Sequence, residues 1–143
     1  MATVSTYINT LGKTEEAFEF YRSVFGGEFT DLQRFKDMDM GPASAALSET
    51  DLNCILHIEL PILGGHVIEG TDMLASLGHE LGLGNNFSIN LHPDSREEAD
   101  RLYEGLSVGS VDATAMAEMP WGAYWGSFVD RFGIRWMINF QHS

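Results

Sequence analysis

The sequence predicts an α+β chain in which two βαβββ modules form a curved mixed sheet around a cleft, with the helices on its outer face. Three observations lead there. The chain has 143 residues, enough for one ordinary domain or two very small halves. The order strand, helix, strand, strand, strand is read twice along it. The two readings also align: Ile8-Asn9 falls on Ile89-Asn90 at an offset of 81, and Glu15-Glu16-Ala17 with Tyr21 falls on Glu97-Glu98-Ala99 with Tyr103 at 82, as does Gly27 on Gly109. Two copies make a duplication rather than a solenoid, which needs three stacked repeats. Halves of about 60 to 70 residues bury too little apolar surface alone, so each sheet is expected to pack beside another. The chain is read as a single domain, 1–143, with modules at 3–70 and 85–141 and a connector at 71–84.

Val4 to Thr10 mixes sparse apolar residues with β-branched polar ones and is read as a strand. A helix follows, with Thr14 as its cap, Glu15 and Glu16 at its positive end, and Ala17, Phe20, Tyr21, Val24 and Phe25 on one stripe. Gly26-Gly27 stops it. Glu28 to Phe35 is a second strand and Lys36 to Ser48 a loop. From Asn53 to Leu60 the pattern alternates, placing Cys54, Leu56, Ile58 and Leu60 on one face and Ile55, His57 and Glu59 on the other. Gly64-Gly65 turns the chain into a strand from His66 to Gly70. The connector carries one helical turn.

The order then begins again. Phe87 to Leu91 is a strand, and Ser95 with Glu98 forms a capping box. Ala99, Leu102, Tyr103 and Leu106 make the stripe of a second helix. A weak strand near Asp112 to Ala117 and two clear ones, Tyr124 to Asp130 and Ile134 to Phe140, complete the chain, with Gly133 at their turn.

Eight Lys and Arg against 21 Asp and Glu give a net charge of −13, which repels phosphate backbones and anionic lipid headgroups. Nucleic acid and membrane are excluded as expected partners. With 44% hydrophobic and 20% charged residues, the composition is that of a chain with a real core. Cys54, the single cysteine, lies in an apolar run and suits a reducing compartment as an inert thiol. With no apolar stretch of about 20 residues and no basic-then-apolar start, the expected location is cytoplasmic.

Several blocks resemble a known family. These are Tyr7-Ile8-Asn9, Gly12, the run from Glu15-Glu16-Ala17-Phe18 to Tyr21-Arg22-Ser23-Val24-Phe25-Gly26-Gly27, Leu56-His57-Ile58-Glu59-Leu60, and Thr71-Asp72. They continue with Met119-Pro120-Trp121, Tyr124-Trp125-Gly126 and Val129-Asp130-Arg131-Phe132-Gly133 through Asn139. Together they resemble the PhnB-like group of the vicinal oxygen chelate superfamily, which includes the glyoxalase, bleomycin-resistance and extradiol dioxygenase proteins. The group often has Pro where Arg131 stands, and Arg can also occupy the second position of a type I turn.

The resemblance implies a fold and a place to look for a metal. Superfamily metalloenzymes take one ligand from each of four strands, the first and last of each half. Those positions fall on Thr6 or Tyr7, on Glu69, near Asn86, and near Met137 with a reach to Asn139. Only Glu69 supplies a suitable group, and a lone carboxylate does not fix a transition ion. No metal or other cofactor is therefore expected; if one is present, Glu69 is its ligand. His57 and Glu59 lie at spacing two on one strand face and are read as cleft residues. His66 is expected to be exposed, and His79, His92 and His142 lie in loops or at the terminus. No HExxH or CxxC spacing and no dinucleotide-binding glycine pattern occurs.

Trp121, Tyr124, Trp125 and Trp136 concentrate late in the chain, with Met119 and Met137 nearby. Trp136 and Phe140 are read as core, whereas Trp121 and Trp125 are read as lining a pocket mouth. Met38, Met40 and Met73 are adaptable apolar groups. The cleft set is therefore Tyr7, Asn9, His57, Glu59, Glu69, Trp121 and Trp125. The favoured function is binding of a small, partly apolar molecule without the superfamily metal. The alternative is a metal-dependent enzyme of glyoxalase, lyase or dioxygenase type, with Zn, Ni, Mn or Fe held by Glu69 and replacement ligands, in which Glu69 is ligand or base. The sequence does not decide whether a reaction is catalysed. As in the superfamily, the expected assembly is a homodimer.

Overall fold

The computed structural model describes residues 1–38 and 41–142; Met40 lies outside them. The chain divides into two compact units, Met1–Gly82 and Leu83–Ser143.

The first unit contains β1 (Thr6–Thr10), α1 (Thr14–Phe25), β2 (Asp31–Arg34), the short helix α2 (Glu49–Asn53), β3 (Ile55–Pro61) and β4 (Val67–Asp72). Its four-stranded sheet has the order β1-β4-β3-β2. β1 runs parallel to β4, and the other pairs are antiparallel. Ile8, Ile58, Leu60 and Ile68 are buried, as are Ala17, Phe18 and Tyr21 of α1. Phe18, not Phe20, completes the buried stripe, and Gly70 makes the room: a Cβ there would lie 2.6 Å from Phe18 Cε1.

The start of α1 is capped from outside the helix. Thr14 carries no cap of its own. Its backbone N–H donates to Asp72 Oδ1 at 3.0 Å, and the Thr10 hydroxyl donates to the same oxygen at 3.2 Å. Asp72 Oδ2 accepts the Ile55 N–H at 2.8 Å. This places Asp72 at the end of β4, two residues beyond the predicted strand, where it joins β1, α1 and β3.

A second departure follows in β3. The register against β2 shifts between Gln33 and Arg34, so His57 faces Gln33 while Ile55 faces Arg34. Ile55 is consequently buried with Ile58 and Leu60, against the simple alternation of the sequence. Cys54 and Leu56 instead pack on a separate small cluster of Phe35, Leu47 and Leu74. Burial, with the charges of Asp72 and Asp51 nearby, pushes the Cys54 thiol upward from its ordinary range, away from the thiolate form a nucleophile needs.

The second unit contains β5 (Ile89–Leu91), α3 (Arg96–Leu106), β6 (Val111–Glu118), β7 (Ala123–Val129) and β8 (Arg135–Gln141), with sheet order β5-β8-β7-β6. This repeats the first order strand for strand, as the duplication predicts. Ser95 accepts the Glu98 N–H at 3.1 Å. Glu98 returns its carboxylate to Asp94 N at 2.9 Å, one residue earlier than a strict capping box. Ala99, Leu102, Leu106, Phe128, Trp136 and Ile138 form the core. Phe140 is only half-buried.

The buried Asp130 accepts from Phe132 N at 2.8 Å, Ile134 N at 3.0 Å and Trp136 Nε1 at 2.8 Å. It therefore holds the β7–β8 turn, where Gly133 has a φ of 88° that favours glycine. Among the described residues β6 pairs only with β7. Its register shifts twice, and Asp112 sits at a φ of 51°. Among the described residues no helix is long and apolar enough to cross a membrane.

Asp72→Ala leaves the Thr14 and Ile55 N–H groups buried without an acceptor, and urea unfolding is expected to show a loss of about 3 kcal/mol. Gly70→Ala overpacks Phe18 and is expected to cost about 1–3 kcal/mol by the same measurement.

Candidate functional site

The first sheet has one face against α1 and one open face, and strand register assigns the residues of the open one. Asp31 pairs with Glu59, Glu59 with Glu69, and Glu69 with Tyr7, so one row crosses all four strands. Two residues along, Gln33 pairs with His57 and Asn9 with Thr71. Five of the predicted residues, Tyr7, Asn9, His57, Glu59 and Glu69, thus share this face.

His57 is its hub. Its Nε2 lies 3.0 Å from Glu59 Oε2, 3.5 Å from Glu69 Oε1 and 3.8 Å from Asp31 Oδ2. Its Nδ1 is 3.2 Å from the Tyr7 hydroxyl, and the two rings are 5.8 Å apart at 38°. Glu69 also accepts a hydrogen bond from the Ser5 hydroxyl. Asp31 was missed by sequence reasoning, since nothing in one strand's pattern reveals its cross-strand neighbour. His66 is not simply exposed: it is half-buried, with Nε2 2.8 Å from the Thr6 hydroxyl.

A cavity of about 410 Å³ opens beside the Asn9–Thr71 pair, lined by Asn9, Phe35, Leu56, Thr71, Asp72, Met73, Leu77 and His79. His79 Nδ1 accepts the Leu74 N–H at 2.9 Å, which leaves the Nε2 of a neutral ring as a donor. Of the three methionines read as adaptable, Met73 lines this cavity and Met38 is exposed.

Trp121 and Trp125 belong to the second unit. Trp121 is 63% exposed in the turn between β6 and β7. Trp125 lies on the open face of the second sheet opposite Asn139, where Met137 pairs with Ser127 and with Asn90. On that face Arg135 Nε and Asn139 Oδ1 are buried without a hydrogen-bond partner among the described residues. Tyr124 points the other way and donates to Asp100 Oδ1 of α3 at 2.5 Å.

The four superfamily metal positions can be tested on donor chemistry. The strand pairs hold Tyr7 with Glu69, and Asn90 with Met137; Asn86 precedes β5. A phenol, a carboxylate, an amide and a thioether do not make the His and carboxylate set that a divalent transition ion needs. The residues at these positions do not fit the ion.

Tyr7 titrates above its usual 10.0, through partial burial first and then the charges of Glu69 and Glu59, with Thr71 pulling the other way. A raised value means that the folded state holds the proton more tightly. The resulting stability is complete below pH about 10 and is lost as pH rises through the folded value. Ultraviolet titration of wild type against Tyr7→Phe is expected to place the Tyr7 midpoint above that of free tyrosine, and Glu69→Gln is expected to lower it.

No family model matches the chain. It is 28% identical to protein YjdN of Escherichia coli over 142 residues, 95% of this chain and 93% of that one. Among solved structures, protein PA1353 of Pseudomonas aeruginosa superposes with a TM-score of 0.82 at 27% identity, covering 100% of both chains. The PhnB protein of Bacillus cereus gives 0.75 at 20% identity, with 97% and 99% covered. A glyoxalase/bleomycin resistance protein/dioxygenase domain from a Frankia species gives 0.63 at 16%, with 99% and 97% covered. The chain has the fold of the PhnB protein and of the glyoxalase/bleomycin resistance protein/dioxygenase domain, the fold that the resemblance of its sequence motifs implies.

Proposed function

We propose that the first module binds a small, partly apolar molecule in the cavity beside Asn9 and Thr71, without an ion at the superfamily's four-strand position. The cavity carries this reading. Its volume of about 410 Å³ lies in the range of about 300–1,000 Å³ common to small-molecule sites. Phe35, Leu56, Met73 and Leu77 offer apolar wall, while Asn9, Thr71 and His79 supply polar groups for orientation. The row of Tyr7 and Glu69 adjoins it one pleat away, at about 7 Å along the strands. Arg135, Asn139 and Trp125 offer the second module a polar and aromatic face of its own.

Native mass spectrometry of protein taken directly from cells is expected to show a co-purifying small molecule. Met73→Trp, which fills the cavity, is expected to remove it and to abolish ligand-induced thermal stabilisation. Retention of the same molecule by that variant would falsify the assignment.

We further propose that the protein is a cytoplasmic homodimer. The exposed Phe87 and Trp121 in the second module, together with the open edge of β6, support it, because large exposed apolar groups near an unpaired strand favour association. Sedimentation equilibrium at micromolar concentration is expected to give twice the chain mass; a monomer there contradicts the assembly.

A further inference from the structure

We propose that Asp31, His57, Glu59 and Glu69 form a divalent-cation site on the open face of the first sheet, moved from the superfamily's four-strand position onto β2, β3 and β4. Asp31, His57 and Glu59 each offer a donor atom, all within 4.8 Å of one another, and Glu69 Oε1 stands 3.5 Å from His57 Nε2. Donors held at about 2.0–2.2 Å by one ion lie about 3 to 4.4 Å apart. The Nε2 separations of 3.0 Å to Glu59 and 3.8 Å to Asp31 therefore need only small side-chain rotations to share a centre, while Glu69, outside that mutual group, approaches it from the His57 side.

Charge points the same way. One imidazole nitrogen has one proton to donate and satisfies one carboxylate at a time, yet three carboxylates surround it. Negative charge is in surplus whether or not the ring is protonated. The four side chains are a quarter to a third exposed, so their mutual repulsion is screened less than in open water. A divalent cation bound to the neutral ring removes most of that repulsion.

The ring is already oriented for it. With Nε2 on the ion, Nδ1 carries the proton and donates to the Tyr7 oxygen 3.2 Å away, the outer hydrogen bond that a ligating imidazole commonly makes. One nitrogen with three carboxylates suits Mn²⁺, Fe²⁺ or Zn²⁺ better than Mg²⁺ or Ca²⁺, which favour oxygen alone. None of these four residues lines the cavity of the first module, so this site and the ligand cavity stand or fall separately.

The test uses the whole chain, stripped with chelator and titrated with Mn²⁺ by calorimetry and electron paramagnetic resonance. The expected result is about one Mn²⁺ per chain at micromolar affinity, displaced by Zn²⁺, with spin-echo modulation from an imidazole nitrogen. His57→Gln should abolish the modulation. His57→Gln and Asp31→Asn should each weaken binding about tenfold or more, with urea midpoints confirming that both fold. Met73→Trp should leave binding unchanged. Absence of saturable Mn²⁺ or Zn²⁺ binding up to millimolar concentration, or binding and modulation that survive His57→Gln, overturns the site.

Discussion

The first module depends on one buried carboxylate. Asp72 accepts the opening N–H of α1, the hydroxyl of Thr10 at the end of β1 and the N–H of Ile55 at the start of β3. Charge-assisted hydrogen bonds of this kind are the stronger ones, and a buried carboxylate left without them is costly. By drawing the Ile55 N–H to itself, Asp72 turns the beginning of β3 inward, at the point where the register against β2 shifts. That turn lets Ile55, Ile58 and Leu60 all enter the core while His57 and Glu59 keep to the open face.

The second module solves the same problem elsewhere. Asp130 is as deeply buried, and it accepts from two turn amides and the indole of Trp136, so it secures a hairpin. The open faces have diverged as well. One carries His57 among three carboxylates; the other carries Arg135 and Asn139 with buried unpaired atoms beside Trp125 and Met137. Identical strand order has thus been kept while the charge of the exposed rows has changed.

Element order, the correspondence of the two modules by sequence offset and the shared strand face of His57 and Glu59 were legible because period and punctuation are local signals. What escaped were long-range facts. Thr14 reads as a cap by type, but its amide is served by Asp72, 58 positions away. Phe20 fits the helical stripe as well as Phe18 does, and the space left by the missing Cβ of Gly70, in a distant strand, is taken by Phe18. The faces of Cys54 and Ile55 were exchanged because an irregularity in β3 is invisible to strict alternation. Asp31 joined the His57 group through strand pairing, which single-strand patterns do not encode.

β6 is long, largely solvent-facing and hydrogen-bonded on one side only. Such a strand is a template on which further copies could stack into fibres. The left-handed Asp112 and the two breaks in its ladder spoil the flat, regular spacing that fibre growth requires, and Asp112 and Glu118 place like charges where identical strands would meet. The irregular outer strand therefore opposes runaway polymerisation.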